Sequence, residues 1–490
     1  MNQKVIEGLE PKLVWQRFAE ISQIPRCSKH EEAIRTYIKT FSLQHNLDYK
    51  EDNAGNIVIF VKASAGFENK PTIVLQSHVD MVCEKNKDKV HDFSKDGIQL
   101  IKEGEWVRAN GTTLGADNGI GVAAQLAIAK DDELLHGPLE LLFTVDEETG
   151  LTGVNSLSPD FISGRILLNL DTEEDGAFYI GCSGGIDTEG YFKIEFEEIK
   201  KNYIPYKIFV NGCKGGHSGV DISEGRANAI KLLAYLLSNL EEFDFQLGFI
   251  QGGSKRNAIP REAEAIIFID EKNEALVREL INEQAIETSL EFKKNDAEIK
   301  YTFEKIPLTE LKIKNAFKSE LTKRVINTLT ALPHGVIAMS KSIKGLVETS
   351  TNLATVNYDS YELVIGTSQR SSIENAKRNI SKTVQSILFE LANAKVKTTD
   401  GYPGWQPNVD SQLLKKAKKI YKNTFDDDPK IKAVHAGLEC GILSDKYPGI
   451  DMISFGPTII GAHSPDEKVN IKAVEKFYSF LKILLYELIM

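Results

Sequence analysis

Short apolar runs bounded by turn residues alternate with segments of helical period along most of this chain. That alternation is what most restricts its fold, because strands separated by amphipathic helices build sheets with helices on their faces. Residues 72–75 (TIVL), 139–145 (LELLFTV), 166–170 (ILLNL) and 451–455 (DMISF) read as buried strands. Ile120, Ala123, Ala124, Ala127 and Ile128 recur at helical spacing, so a helix over 120–130 follows the glycine-rich GTTLGADNGIG stretch. Residues 469–489 read as a long closing helix. The fold class expected is α/β.

A chain of 490 residues is too long for one ordinary core. Two breaks rich in small or turn residues, 181–187 (GCSGGID) and 398–404 (TTDGYPG), divide it. Between them strands are expected at 206–210, 265–269 and 362–366, with helices at 227–240, 275–292 and 373–391. The expected organisation is one domain from residues 1–185 and 400–490, with 186–399 inserted as a separate α/β domain.

The net charge of −11 speaks against a nucleic-acid partner, since no Lys/Arg stripe is present to neutralise phosphates. No apolar run is long enough to cross a bilayer, and residues 1–13 carry charges without the apolar stretch of a signal peptide. The five cysteines (Cys27, Cys83, Cys182, Cys213, Cys440) are odd in number and widely spread, with neither a disulfide framework nor a CxxC zinc pattern. A soluble protein of the reducing cytoplasm is the expectation.

Carboxylates and histidines fall just past the expected strand ends, the edge at which α/β sheets bind ligands. Ser77-His78-Val79-Asp80 follows TIVLQ, Asp117 opens a helix, Asp146-Glu147-Glu148 follows LLFTV, Asp171 ends ILLNLD, and Gly461-Ala462-His463-Ser464 follows DMISFGP. Alone, each reads as surface polarity, a helix cap or a solvated turn. Together they form a mixed His/carboxylate set suited to zinc, with cobalt or manganese as alternatives. With Asp117 bridging two ions, His78 and Asp171 complete one site and Glu148 and His463 the other. Each ion then keeps an open position, and two ions about 4 Å apart bring a shared water toward a pKa of about 7. Glu147, beside a ligand, is the expected general base, and Asp80 is placed to hold the second nitrogen of His78.

SHVDMVC, GTTLGADNGIG, TVDEETGLTG, LLNLDTEE, GGHSG, HAGLECG and GAHSPDE occur in that order across the chain, which thereby resembles the M20 metallopeptidases. The likeness is nearest to their aminoacyl-histidine dipeptidase branch. It implies a zinc-peptidase-like catalytic domain, a mixed sheet flanked by helices, with the inserted domain as a lid. The implied zinc pair is held by His78, Asp117, Glu148, Asp171 and His463, with Glu147 as base and Asp80 in support.

His217 in GGHSG reads by itself as a turn histidine; the resemblance makes it the residue that stabilises the oxyanion of the scissile carbonyl. Asn257 in RNAIP resembles a lid asparagine that touches substrate. Arg370 in GTSQRSS is a candidate clamp for a substrate carboxylate, or else an ordinary surface arginine. The glycine-bounded HAGLECG loop reads as a substrate-binding wall, with Glu439 meeting a free α-amine. The activity implied is hydrolysis of small unblocked dipeptides, Xaa-His among them. A tripeptide aminopeptidase, an N-acyl-amino-acid deacylase and a non-catalytic binding protein are the alternatives. The branch includes homodimers, which leaves a homodimer open.

Overall fold

The computed structural model describes residues 2–358 and 361–490. The chain divides into two compact units, Met1–Gly181 with Trp405–Ala433 and Leu438–Met490, and Cys182–Gly404 with Val434–Gly437. The short Val434–Gly437 segment thus belongs to the second unit, although the sequence reading left it in the first.

The first unit is built on a mixed eight-stranded sheet. Its order is Asp48–Glu51, Ile57–Val61, Leu139–Thr144, Ile73–His78, Ile166–Asn169, Asp451–Ser454, Ala177–Cys182 and Lys430–Val434. Leu139–Thr144, Ile73–His78, Ile166–Asn169 and Asp451–Ser454 are neighbours and run parallel, so their C-terminal ends fall on one edge. Burial of both faces explains their largely apolar composition: every residue of Ile73–His78 and Leu139–Thr144 is buried, the polar Gln76, Ser77, His78, Glu140 and Thr144 included. The helix Ala116–Ile128 packs on Ile73–His78, and Lys12–Ile21 packs on that helix. The closing helix, Ile471–Ile489, buries Phe477, Phe480, Leu481 and Leu484 and is capped by Asn470, whose side chain accepts from the Ala473 N–H.

The second unit carries a nine-stranded sheet. Its path is Lys300–Lys305, Tyr203–Asn211, Ala263–Asp270, Gln246–Gly252, Val347–Tyr358, Glu362–Ser371, Gly184–Lys193 and Lys395–Thr398, with Gly335–Met339 paired to Val347–Tyr358. Its recorded pairings are antiparallel, and the helices Ala229–Asn239 and Ser319–Ala331 bury apolar residues in its core. Val347–Tyr358 (VETSTNLATVNY) is the strand hardest to anticipate. Its Thr349, Ser350, Thr351, Asn352 and Thr355 are buried although their polarity reads as a loop.

One expectation is overturned. Cys27 and Cys83, 56 residues apart, form a disulfide with Cα atoms 5.7 Å apart. Cys182, Cys213 and Cys440 are buried thiols. A pairing across that separation leaves no spacing signature, because the sheet and the loops above it bring the two segments together.

Candidate metal centre

Seven of the sequence-predicted residues meet at the C-terminal edge of the first unit's parallel strands. His78 is the last residue of Ile73–His78, Asp171 follows Ile166–Asn169, and Glu147 and Glu148 open the short helix after Leu139–Thr144. Asp117 stands at the irregular start of Ala116–Ile128, in non-helical conformation and joined to Asn118 by a cis peptide. The glycines around it are required by close approach. A side chain at Gly115 (φ 68°) would collide with Arg26 and Met81, and one at Gly121 with Asn118 and Ser77. His463 comes from the hairpin loop between the paired strands Ile459–Ile460 and Lys468–Asn470, at φ 64°.

Asp117 faces two ways. Its Oδ1 lies 3.1 Å from His78 Nε2, and its Oδ2 lies 3.3 Å from His463 Nε2. His78 Nε2 is also 3.1 Å from Asp171 Oδ1, while His463 Nε2 is 3.0 Å from Glu148 Oε2. Two three-residue groups result, His78–Asp117–Asp171 and Asp117–Glu148–His463, the ligand atoms of each lying within 4.8 Å of one another. Asp80 sits behind them. Its Oδ1 is 3.4 Å from His78 Nδ1 and accepts from the Glu147 N–H at 3.1 Å. Its Oδ2 accepts from Ser28 Oγ at 2.7 Å and the Glu148 N–H at 3.3 Å. One carboxylate therefore orients a histidine and holds the turn that presents Glu147 and Glu148.

The electrostatics call for a cation. Burial would lower the pKa of His78, yet Asp171, Asp117 and Asp80 hold it well above the usual value. Hydrogen bonding to Asp117 and Glu148 pushes His463 up to about 11. Burial, with the charges of Asp117 and Glu148, lifts Asp171 to about 6. Burial followed by repulsion from Asp171, Glu439 and Glu148 outweighs His78 and raises Glu147 well above its ordinary value. Without a metal, protons serve as the counter-charge for a crowd of carboxylates; divalent ions would displace them. One buried oxygen, Glu148 Oε1, has no hydrogen-bond partner, as expected of an atom whose partner is a metal. The residues present fit a pair of divalent ions.

Glu439 departs from its expected role. It opens the helix Glu439–Lys446 in the first unit and is wholly buried, accepting from Gln76 Nε2 at 2.5 Å and Thr144 Oγ1 at 2.8 Å. Burial pushes its pKa up to about 8, against the pull of His78 and of the Thr144 hydrogen bond.

The remaining candidates lie in the second unit. Nδ1 of His217 accepts from the Gly219 and Val220 N–H groups, at 3.2 and 3.1 Å, which leaves the ring proton on Nε2. Burial and the charge of Arg370 lower its pKa, so the neutral donor form prevails at pH 7. The exposed Asn257 joins this turn through its carbonyl, which accepts from the Ser218 N–H at 2.8 Å. Arg370 lies within Glu362–Ser371 and is only 8% exposed. It donates to Tyr402 Oη at 2.9 Å, its Nε has no partner, and no carboxylate among the described residues forms an ion pair with it. His435, not singled out from sequence, bridges Ser183 Oγ (2.6 Å) and Ser350 Oγ (2.7 Å). Two supports of the first unit were also missed. Arg26 reaches the carbonyls of Val79, Asp80 and Gly115, and Glu467 accepts from the backbone before Asp117. Glu467 lies in the GAHSPDE motif and had a signal there; Arg26 had none.

The chain is 41% identical to the cytosol non-specific dipeptidase of Escherichia coli (strain K12), over 99% of each protein. The solved structure of aminoacylhistidine dipeptidase from Vibrio alginolyticus superposes with a TM-score of 0.91 at 41% identity, covering 98% of this chain and 97% of that one. A tripeptidase from Staphylococcus aureus shares the fold, with a TM-score of 0.57 at 16% identity, covering 98% of this chain and 99% of that one. The model of peptidase family M20/M25/M40 matches residues 74–487. With its histidines and carboxylates gathered on one sheet edge and this match along most of its length, the chain belongs to peptidase family M20/M25/M40.

Proposed function

We propose that this chain is a metal-dependent dipeptidase that hydrolyses small unblocked dipeptides, Xaa-His among them, in the cytoplasm. The observation that carries the reading is Asp117, which offers one carboxylate oxygen to each of two His/carboxylate groups. The similar proteins named as dipeptidases, at 41% identity over nearly the whole chain, support the substrate class.

Asp117 would bridge two divalent ions, zinc first and cobalt or manganese as alternatives, with His78 and Asp171 on one and Glu148 and His463 on the other. Bound there, the ions would supply Lewis acidity, which makes a water easier to deprotonate and the peptide carbonyl more electrophilic. Glu147 takes the proton of the attacking water and returns it to the leaving amine. Asp80 keeps His78 and the Glu147 turn in place. The Nε2–H of His217 is the donor for the developing oxyanion, and the unpaired guanidinium of Arg370 receives the substrate's terminal carboxylate. Asn257 contributes a polar contact to substrate. The free amine is not assigned to Glu439, whose carboxyl is buried and held by Gln76 and Thr144.

The test is amino-acid release from β-Ala-His, Gly-Leu, Leu-Gly-Gly and an N-acetyl dipeptide, before and after EDTA and with zinc, cobalt or manganese restored. Metal-dependent cleavage confined to the unblocked dipeptides is expected. Cleavage of the tripeptide or the blocked peptide would instead assign a tripeptide aminopeptidase or a deacylase. Glu147→Gln is expected to abolish turnover, by a factor of about 1,000 or more, with metal content unchanged. Full activity in that variant would remove Glu147 from the proton-transfer role. The possibility of a homodimer is read by light scattering on the eluting protein.

A further inference from the structure

Glu467 is 2% exposed and four residues beyond His463. Its carboxylate accepts from four consecutive backbone N–H groups. Oε2 takes those of Leu114 (2.7 Å) and Gly115 (2.8 Å), and Oε1 those of Ala116 (2.7 Å) and Asp117 (3.3 Å). The carbonyl side of the same turn is held by Arg26, whose Nη2 donates to Gly115 O at 2.5 Å. The Nη1 of Arg26 donates to the carbonyls of Val79 and Asp80, each at 3.1 Å, in the segment just after His78.

The other end of Glu467 is equally fixed. The paired strands Ile459–Ile460 and Lys468–Asn470 make residues 461–467 a hairpin loop, with Glu467 at its base. The loop is closed by Ser464 N–H to Gly461 O (3.2 Å) and Glu467 N–H to Ser464 O (3.0 Å). Asp117 and His463 are 346 residues apart in sequence and share one proposed metal. Glu467 belongs to the loop of one and grips the backbone of the other.

We propose that Glu467 is a positioning residue for the metal pair. It clamps the Asp117 turn to the His463 loop, so that the two oxygens of Asp117 stay directed at the two ligand groups. Only a carboxylate suits this task. It has acceptor sites on both oxygens, whereas the amide of glutamine would turn an NH2 donor toward two of the four N–H groups. The inference rests on the metal-ligand assignment proposed above.

Metal-free full-length protein, prepared by chelation, is titrated with Co(II), with uptake followed by calorimetry and by the visible ligand-field bands. Wild-type protein is expected to take up two ions. Glu467→Gln is expected to lower the affinity of the weaker ion by about tenfold or more and to alter the bands, because a displaced ligand changes the coordination geometry. Its kcat falls while KM for a dipeptide stays within about twofold, since no substrate contact is lost. Wild-type affinity and bands in Glu467→Gln, whatever its melting temperature, would overturn the proposal. Where that variant does not fold, Glu467→Asp is used, its carboxylate one methylene short of the four N–H groups. Weaker uptake again supports the clamp, and wild-type uptake overturns it. Wild-type protein that takes up fewer than two ions would overturn the ligand assignment itself, and this inference with it.

Discussion

Arg370 is the side chain whose surroundings say most about substrate. A guanidinium cannot shed its charge, and a cation this buried without a carboxylate partner is costly unless something anionic joins it. Its hydrogen bond to the neutral Tyr402 hydroxyl does not supply that charge. Arg370→Met should therefore raise KM for dipeptides with a free terminal carboxylate by about 100-fold, corresponding to about 3 kcal/mol for a lost charge-assisted pair. The same substitution should leave the corresponding C-terminal amides almost unaffected. Equal losses on acids and amides in a steady-state comparison would show that Arg370 does not read the carboxylate. His217 is its counterpart in polarity: two backbone N–H groups occupy Nδ1, so the donor left over is fixed by the turn rather than by the solvent.

At the scale of elements, the second unit holds a histidine that links stability to pH. His435 follows the strand Lys430–Val434, and its ring lies between Ser183 and the Ser350 hydroxyl of Val347–Tyr358. Burial, assisted by the charge of Arg370, lowers its pKa to about 3. The unfolded chain, with an ordinary histidine near 6.5, then binds more protons than the folded one between these two values. The neutral-ring contribution is complete above about pH 6.5 and is lost progressively as pH falls toward 3. By pH 5 the loss is on the order of 2 kcal/mol. Urea unfolding monitored by hydrogen exchange in the second unit should show that decline, and His435→Asn should flatten it. An unchanged pH slope in the variant would count against the linkage.

For the molecule as a whole, the centre is expected to couple metal to stability. The proposed ligands, His78, Asp117, Glu148, Asp171 and His463, come from five separate segments, so ion binding would staple strand ends and loops that are distant in sequence. Ions at about 100 times their dissociation constant should stabilise the first unit by about 2.7 kcal/mol over the metal-free form. Removal with EDTA should lower its melting temperature and expose the amides of 114–117 and 146–148 to exchange, reversed by zinc. A melting temperature indifferent to EDTA, with metal loss verified by elemental analysis, would exclude that coupling. Among the described residues no helix is long and apolar enough to cross a membrane.

Much of the centre was legible in the linear sequence because two local signals coincide. Apolar runs such as ILLNL and LELLFTV mark strands by composition, and a His or carboxylate at their ends marks a sheet edge. Residue types and chain order sufficed to nominate His78, Asp117, Glu147, Glu148, Asp171 and His463 together. What the tertiary structure alone decided are the relations that carry no local period. Asp117 turns one oxygen to His78 and the other to His463, Cys27 pairs with Cys83, and Glu467 reaches back 350 residues to the Asp117 N–H. Glu439 shows the same limit from the opposite side. A glycine-bounded loop reads as an open wall, but its carboxyl is drawn into the sheet edge by Gln76 and Thr144, two strand residues whose polarity matters only once the strands lie side by side. Val347–Tyr358 is polar in composition and buried in fact, because neighbouring strands and Asn, Ser and Thr hydrogen bonds satisfy what solvent would otherwise have to. Composition and spacing determine which groups can act; the closing of long loops over the sheet determines which of them face one another, since each such contact depends on backbone directions set hundreds of residues away.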